Sequence, residues 1–154
     1  NGEARHIGVR LDNGVRVENV YVPAGGEEPD RTINPKFGQK LDFIERMIEW
    51  SSGLSDKPTI LTGDFNSEPG SSVVAHVQKD GVLHDVKQVA ARKSGTEWSF
   101  SDFGQILEAE RPLLDYIFVS DGIAADLYEV LPDTHGGGYV SDHAPVMAIV
   151  KFEK

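Results

Sequence analysis

These 154 residues encode a layered α/β domain, and three features of the chain point to it. Short runs that alternate in polarity or are rich in β-branched side chains recur at residues 4–11, 15–22, 58–65, 115–120 and 145–152, each of strand length. Segments of helical periodicity separate them at residues 35–51 and 71–80. Turn-forming residues punctuate the joints, and no internal repeat or low-complexity tract interrupts the order. With 39% hydrophobic and 26% charged positions, residues 1–154 read as a single domain able to bury a core.

In the first run Ile7, Val9 and Leu11 share one face, and in the second Val15, Val17, Asn19 and Tyr21 do. Asp12-Asn13-Gly14 between them reads as a hairpin turn. Residues 23–33, with their glycines, prolines and charges, read as a surface loop. Asn34 is placed to cap a helix and Pro35 to occupy its first position. Phe37, Leu41, Ile44 and Ile48, joined by Met47, line that helix's apolar side until Ser51-Ser52-Gly53 ends it. Residues 58–65 (PTILTGDF) suit a strand buried on both faces. A short helix over 71–80 follows, with serine at its start and Gly81 at its end. Residues 81–110 are mixed, and DYIFVS (115–120) and PVMAIVKF (145–152) complete the strands.

Composition narrows the chemistry. The absence of cysteine excludes zinc-finger, iron–sulfur and thiol-nucleophile sites. A net charge of −10 repels a phosphate backbone at long range, so binding nucleic acid requires a local basic patch or a bound cation. No apolar run approaches the roughly 20 residues of a membrane span. The first residues carry neither a signal peptide's apolar region nor a methionine, which suggests processing or truncation; the compartment is left open, with the cytoplasm favoured.

Gly63-Asp64-Phe65-Asn66 ends the third run. Positions two apart on a strand face one side, so the Asp64 carboxylate and the Asn66 amide project together at the sheet edge where α/β folds place ligands. There the carboxylate can take a proton from water, and the neutral amide can donate to a phosphoryl oxygen. The same residue types also favour a plain turn, and spacing alone leaves both readings open. A calcium loop is excluded, because Pro69 and Ala75 stand at its glycine and bidentate-glutamate positions.

Ser141-Asp142-His143-Ala144-Pro145 precedes the last strand. Asp142 offers a hard oxygen ligand for magnesium and His143 a ring N–H for a phosphoryl oxygen. A histidine so used needs a carboxylate behind its other nitrogen, for which Asp115 is the candidate. Tyr21 ends a strand beside Pro23-Ala24-Gly25-Gly26, where its hydroxyl can bind phosphate, although an isolated strand tyrosine more often packs. Arg5, Arg10, Arg16, Lys36 and Lys40 can line a basic face but are more often simply solvated. His6, His76 and His84 lack ligand spacing. His135-Gly136-Gly137-Gly138 is similar to a lipase oxyanion loop, but no G-x-S-x-G accompanies it, which disfavours a serine hydrolase.

In this order the blocks NVYVP (19–23), ILTGDFNSEP (60–69), LDYIFVS (114–120) and SDHAPV (141–146) resemble the signatures of the endonuclease/exonuclease/phosphatase superfamily of magnesium-dependent phosphodiesterases. Residues 15–50 resemble most the exonuclease III type of abasic-site endonuclease, and residues 58–120, with GDFNSEPGS and GTEWSF, the phosphatase and phosphodiesterase branches. The resemblance implies a layered α/β sandwich of that type, of which this chain is the C-terminal portion. It implies a phosphodiester hydrolase using Mg2+, or Mn2+ in its place, related to DNA-repair nucleases. One alternative is a phosphatase or phosphodiesterase acting on a small or lipid-like phosphoester; another is a truncated domain that only binds or assembles.

The resemblance assigns Asp64 to the attacking water and, with Asp142, to the metal; Asn66, Tyr21 and His143 to the phosphate; and Asp115 to the orientation of His143. Two departures stand out. Leu113 occupies the place, two before Asp115, where the family often has arginine, with Arg111 only nearby. The asparagine and the metal-binding glutamate that precede these blocks in the family have no counterpart here. The expectation is therefore an incomplete domain with an open sheet edge, able to pair with a second copy, whose partner is DNA or another phosphoester.

Overall fold

The computed structural model describes residues 4–51, 53, 57–79 and 82–152, apart from the side chains of Ile48 and Ser51. Ser52 and Gly81, expected at helix ends, and the Ile48 side chain, expected on an apolar helix face, lie outside the described residues. Along the chain come β1 (His6–Arg10), β2 (Arg16–Tyr21), α1 (Pro35–Ser51), β3 (Thr59–Asp64), α2 (Ser72–Gln78), β4 (Leu83–Asp85) and α3 (Val86–Val89). They are followed by β5 (Arg92–Gly95), β6 (Asp115–Ser120), β7 (Ile123–Val130), β8 (Thr134–His135), β9 (Gly138–Tyr139) and β10 (Val146–Phe152). One sheet has the order β1-β2-β3-β6-β4, a second the order β10-β7-β5, and β8 and β9 form a small ribbon. The layered α/β class is borne out. Among the described residues no helix is long and apolar enough to cross a membrane.

The local chemistry read from the sequence accounts for the joints. At the first turn the Gly14 N–H donates to Leu11 O (2.9 Å) and the Val15 N–H to Asn13 Oδ1 (3.1 Å). Asn34 caps α1, its Oδ1 accepting from the N–H groups of Lys36 (3.1 Å) and Phe37 (3.4 Å). Helix α1 is the crossover that lets β2 and β3 run parallel. Their close approach needs a glycine at position 63: with φ at +147°, a Cβ there would sit 1.9 Å from Val20 O.

Two cores flank the larger sheet. On one face Val20, Leu61, Phe65, Tyr116 and Phe118 pack with Ile44 and Met47 of α1 and Val73, Val74 and Val77 of α2. On the other, Ile60, Ile117 and Val119 meet Tyr128, Val130 and Val146 of the second sheet. Strand β3 is thus covered on both sides, as its apolar run requires. The apolar face of β1 is solvent-facing: Ile7 and Val9 are 66% and 52% exposed, and Leu11 just beyond the strand is 42% exposed. β1 is also an edge strand, paired only with β2 among the described residues.

Buried Asp85 caps α3 by accepting the Lys87 N–H (2.8 Å). Burial pushes its carboxyl above the ordinary range, against the pull of that N–H. A carboxyl raised on folding stabilises the fold below its unfolded pKa, and that contribution is lost as pH rises through the folded value. Asp85→Asn, which keeps an acceptor, is therefore expected to gain stability over wild type between about pH 4 and pH 7. Asp85→Ala loses the cap, at a cost of about 1 kcal/mol. Urea unfolding at the two pH values checks both.

Candidate active site

Asp64 closes β3 and Asp115 opens β6, and the antiparallel register sets them opposite each other. In the parallel pair on the other side Tyr21 is level with Asp64. Three of the expected residues therefore share one face at one end of the sheet, because neighbours in register point the same way. Tyr21 is not core packing: it is 51% exposed, with the Arg5 guanidinium 4.8 Å from its ring centre.

His143 arrives from the loop before β10. Its Nδ1 donates to Asp115 Oδ2 at 2.6 Å, and its Nε2 lies 4.0 Å from Asp64 Oδ2. The Phe100 ring packs on the imidazole at 4.9 Å between centres, and a backbone bridge joins the same two residues. Behind Asp115 stands Ser99, fully buried, whose Oγ donates to Asp115 Oδ2 (2.6 Å) and accepts from the N–H groups of Leu114 (2.9 Å) and Asp115 (3.1 Å). The Ala144 N–H donates to Ser99 O (2.7 Å), so one residue braces both sides of the Asp115–His143 pair.

Asp64 and Asn66 come together as well, but not by strand alternation. β3 ends at Asp64, and Asn66 adopts a left-handed backbone with φ at +45°. The Asn66 N–H donates to Asp64 Oδ1 (2.8 Å), and its Nδ2 donates to Asp64 Oδ2 (3.1 Å) and to Val22 O (2.8 Å). The turn and the site, alternatives on spacing alone, are one object. Both hydrogens of the Asn66 amide are engaged, so here the side chain orients Asp64; a phosphate contact by it exchanges one of these bonds.

Electrostatics follow from this packing. Burial holds the Asp64 carboxyl above its ordinary range, against the Asn66 N–H, and the negative Asp115 adds to the rise. His143 is pushed up chiefly by its bond to Asp115, against its own burial, with Asp64 and Asp142 contributing. The rise makes Asp64 a readier proton acceptor and favours the charged form of His143, and the two lie 4.0 Å apart. That distance exceeds a hydrogen bond, and an oxygen atom set beside the line joining the two atoms can reach both at hydrogen-bond distance.

Asp142 is half-buried, its carboxylate accepting from Ser141 Oγ (3.1 Å). Among the described residues no three or more His, Cys, Asp or Glu side chains group closely enough to hold a metal. Magnesium is commonly held by one or two carboxylates with waters completing its octahedron, so Asp64 and Asp142 would be the oxygen donors of this chain for it.

Other residues are accounted for structurally. Arg111 stacks over Trp98 at 4.4 Å and donates from Nε to Ile106 O (3.0 Å), and Leu113 is in the core, so neither replaces the family's arginine. His6 pairs with Glu18 and His84 with Asp121, each at 2.9 Å, and the His76 ring meets Ser72 O. Gly136 and Gly137 form the left-handed turn of the β8–β9 ribbon. Sequence reasoning missed Ser99 and Phe100, which carry no spacing signal, and grouped Lys40 with a solvated basic face although it is 8% exposed.

A model of the Endonuclease/Exonuclease/phosphatase family matches residues 2–143. No curated protein matches the chain. Among solved structures, the chain is 25% identical to a 3′ phosphatase, NExo, from Neisseria bound to a product DNA hairpin, with a TM-score of 0.78 over 100% of this chain and 66% of that one. It is 26% identical to a 3′-5′ exonuclease (NExo) from Neisseria meningitidis, with a TM-score of 0.77, 100% of this chain and 67% of that one. A functionally unknown conserved protein from Enterococcus faecalis is 28% identical, with a TM-score of 0.62 over 90% of this chain and 50% of its own length. The chain spans about half to two thirds of the lengths of these proteins.

Proposed function

Because the chain belongs to the endonuclease/exonuclease/phosphatase family, we propose that Asp64, Asp115 and His143 form a phosphoester-hydrolysing site and that its substrate is a nucleic acid. The observation that carries this is the 4.0 Å approach of Asp64 Oδ2 and His143 Nε2, each held by its own hydrogen-bonded support. A water bridging these two atoms from the side gives its proton to Asp64 and attacks phosphorus in line with the departing oxygen. His143, fixed by Asp115, donates to the phosphoryl oxygen that gains charge. The Tyr21 hydroxyl and the Asn66 amide are the further phosphate contacts. Nucleic acid is favoured because the two Neisseria neighbours are a 3′ phosphatase bound to a DNA hairpin and a 3′-5′ exonuclease. Magnesium, or manganese, is proposed as a requirement of the reaction, and no step is assigned to it.

The test uses the natural polypeptide with abasic-site DNA, a 3′-phosphorylated oligonucleotide and bis(p-nitrophenyl) phosphate. Asp64→Asn keeps an acceptor for the Asn66 N–H and is expected to fold, yet to lose about 10²-fold or more in turnover. Unchanged rates would remove Asp64 from the chemistry. Duplex DNA should inhibit hydrolysis of the small diester in a salt-dependent way; indifference to it assigns the site to a small phosphoester.

A second reading, a domain that assembles in place of catalysing, is favoured by the solvent-facing strip of Ile7, Val9 and Leu11 on an edge strand. Concentration-dependent association without turnover of any of the three substrates supports it.

A further inference from the structure

We propose that Lys40 is a positioning residue for the reaction, a buried ammonium that clamps the β2–α1 loop to the β3–α2 turn and so fixes Asp64 against His143. The proposal rests on the reading of Asp64 as the reacting carboxylate. Lysine is rarely this buried without partners, and at 8% exposure Lys40 has two: Nζ donates to Asn66 O at 2.7 Å and to Ala24 O at 3.4 Å. The loop is shaped around its stem. Gly25 has φ at +86°, and a Cβ there would come within 2.7 Å of Lys40 Cδ.

The clamp closes on the residue that shapes the site. Asn66 holds a left-handed backbone that non-glycine residues adopt only when their surroundings impose it. Its N–H is taken by Asp64 and its carbonyl by Lys40, so the turn is gripped from both ends. The Asn66 amide in turn spans Asp64 Oδ2 and Val22 O, the carbonyl next to the loop that Lys40 also binds. Burial holds the Lys40 ammonium below the ordinary lysine range, and the nearby Asp64 partly offsets that fall. Releasing the Asn66 carbonyl frees the turn, and with it the Asp64 carboxylate.

The experiment compares Lys40→Met, which keeps the stem and removes the donors, with Lys40→Arg, which keeps donors, in the natural polypeptide. Lys40→Met is expected to lower kcat about tenfold to a hundredfold with little change in KM, because a displacement of about 1 Å suffices for such a loss. Its melting temperature should stay close to wild type, and Lys40→Arg should recover most of kcat. Hydrogen exchange at the Asn66 side-chain amide, followed by NMR, should accelerate in Lys40→Met. That readout needs no turnover, so an inactive wild type defeats the functional reading while exchange still decides the clamp. Unchanged kcat and unchanged exchange overturn the proposal. So does a fall in kcat that only tracks a fall in melting temperature in both variants.

Discussion

His143→Ala is expected to reduce phosphoester turnover by about 10²–10⁴-fold, the usual range for removing a positioned acid or base. The imidazole stands between the Asp115 and Asp64 side chains, at 2.6 Å on one side and 4.0 Å on the other. In the proposed reaction its loss removes the donor to the phosphoryl oxygen that gains charge, and leaves Asp115 its bond from Ser99 with no histidine to orient. The loss should fall on kcat, because the interaction strengthens as charge develops. The fold should tolerate the change: His143 is only half-buried, and the backbone bonds that seat its loop, Ser101 N–H to Asp142 O and Ala144 N–H to Ser99 O, do not involve the ring. Circular dichroism and a melting curve close to wild type, beside lost turnover in steady-state kinetics, is the expected pair of results.

Phe65→Ala is expected to destabilise the fold by about 3–5 kcal/mol. Phe65 has no exposed surface, and its ring meets those of Tyr116 and Phe118 edge-on, each at 5.4 Å between centres. Truncation leaves a void under the end of β3 that helices α1 and α2 cannot fill without moving the sheet. Against a typical total of about 5–15 kcal/mol, this consumes a large share of the stability. At about 2–4 °C per kcal/mol for a domain of this size, the melting temperature should fall by roughly 6–20 °C. Phe65→Leu, which keeps most of the volume, should lose far less. Phe65 also lies between Asp64 and Asn66, so the alanine variant should lose turnover even well below its melting temperature. Calorimetry and rates on one preparation separate the two effects.

The residues that act locally were legible in the chain. Asp12-Asn13-Gly14 makes its hairpin and Asn34-Pro35 opens its helix, because caps and turns depend on neighbours a few positions away. Asp115 and His143 could be paired on chemistry, since a working histidine needs a carboxylate, and the structure brings them together at 2.6 Å. Other features depended on distant packing. Strand β7 escaped notice because Asp126 and Glu129 break up its apolar residues, and its register with β10 slips between Ile149 and Val150. Ser99 is one serine among several until Asp115 is placed against it. Lys40 is a surface residue by composition and a buried clamp by position. Ile7, Val9 and Leu11 show how alternation identifies a face without saying what covers it.

A double-mutant cycle on Asp115→Asn and His143→Ala, measured as kcat on a 3′-phosphorylated oligonucleotide, tests most directly whether these residues act as one unit. If Asp115 works only through His143, each single change lowers kcat and the double variant is no slower than His143→Ala alone. Losses that simply multiply, or single variants as fast as wild type, would contradict a site in which Asp115 holds His143 across from Asp64.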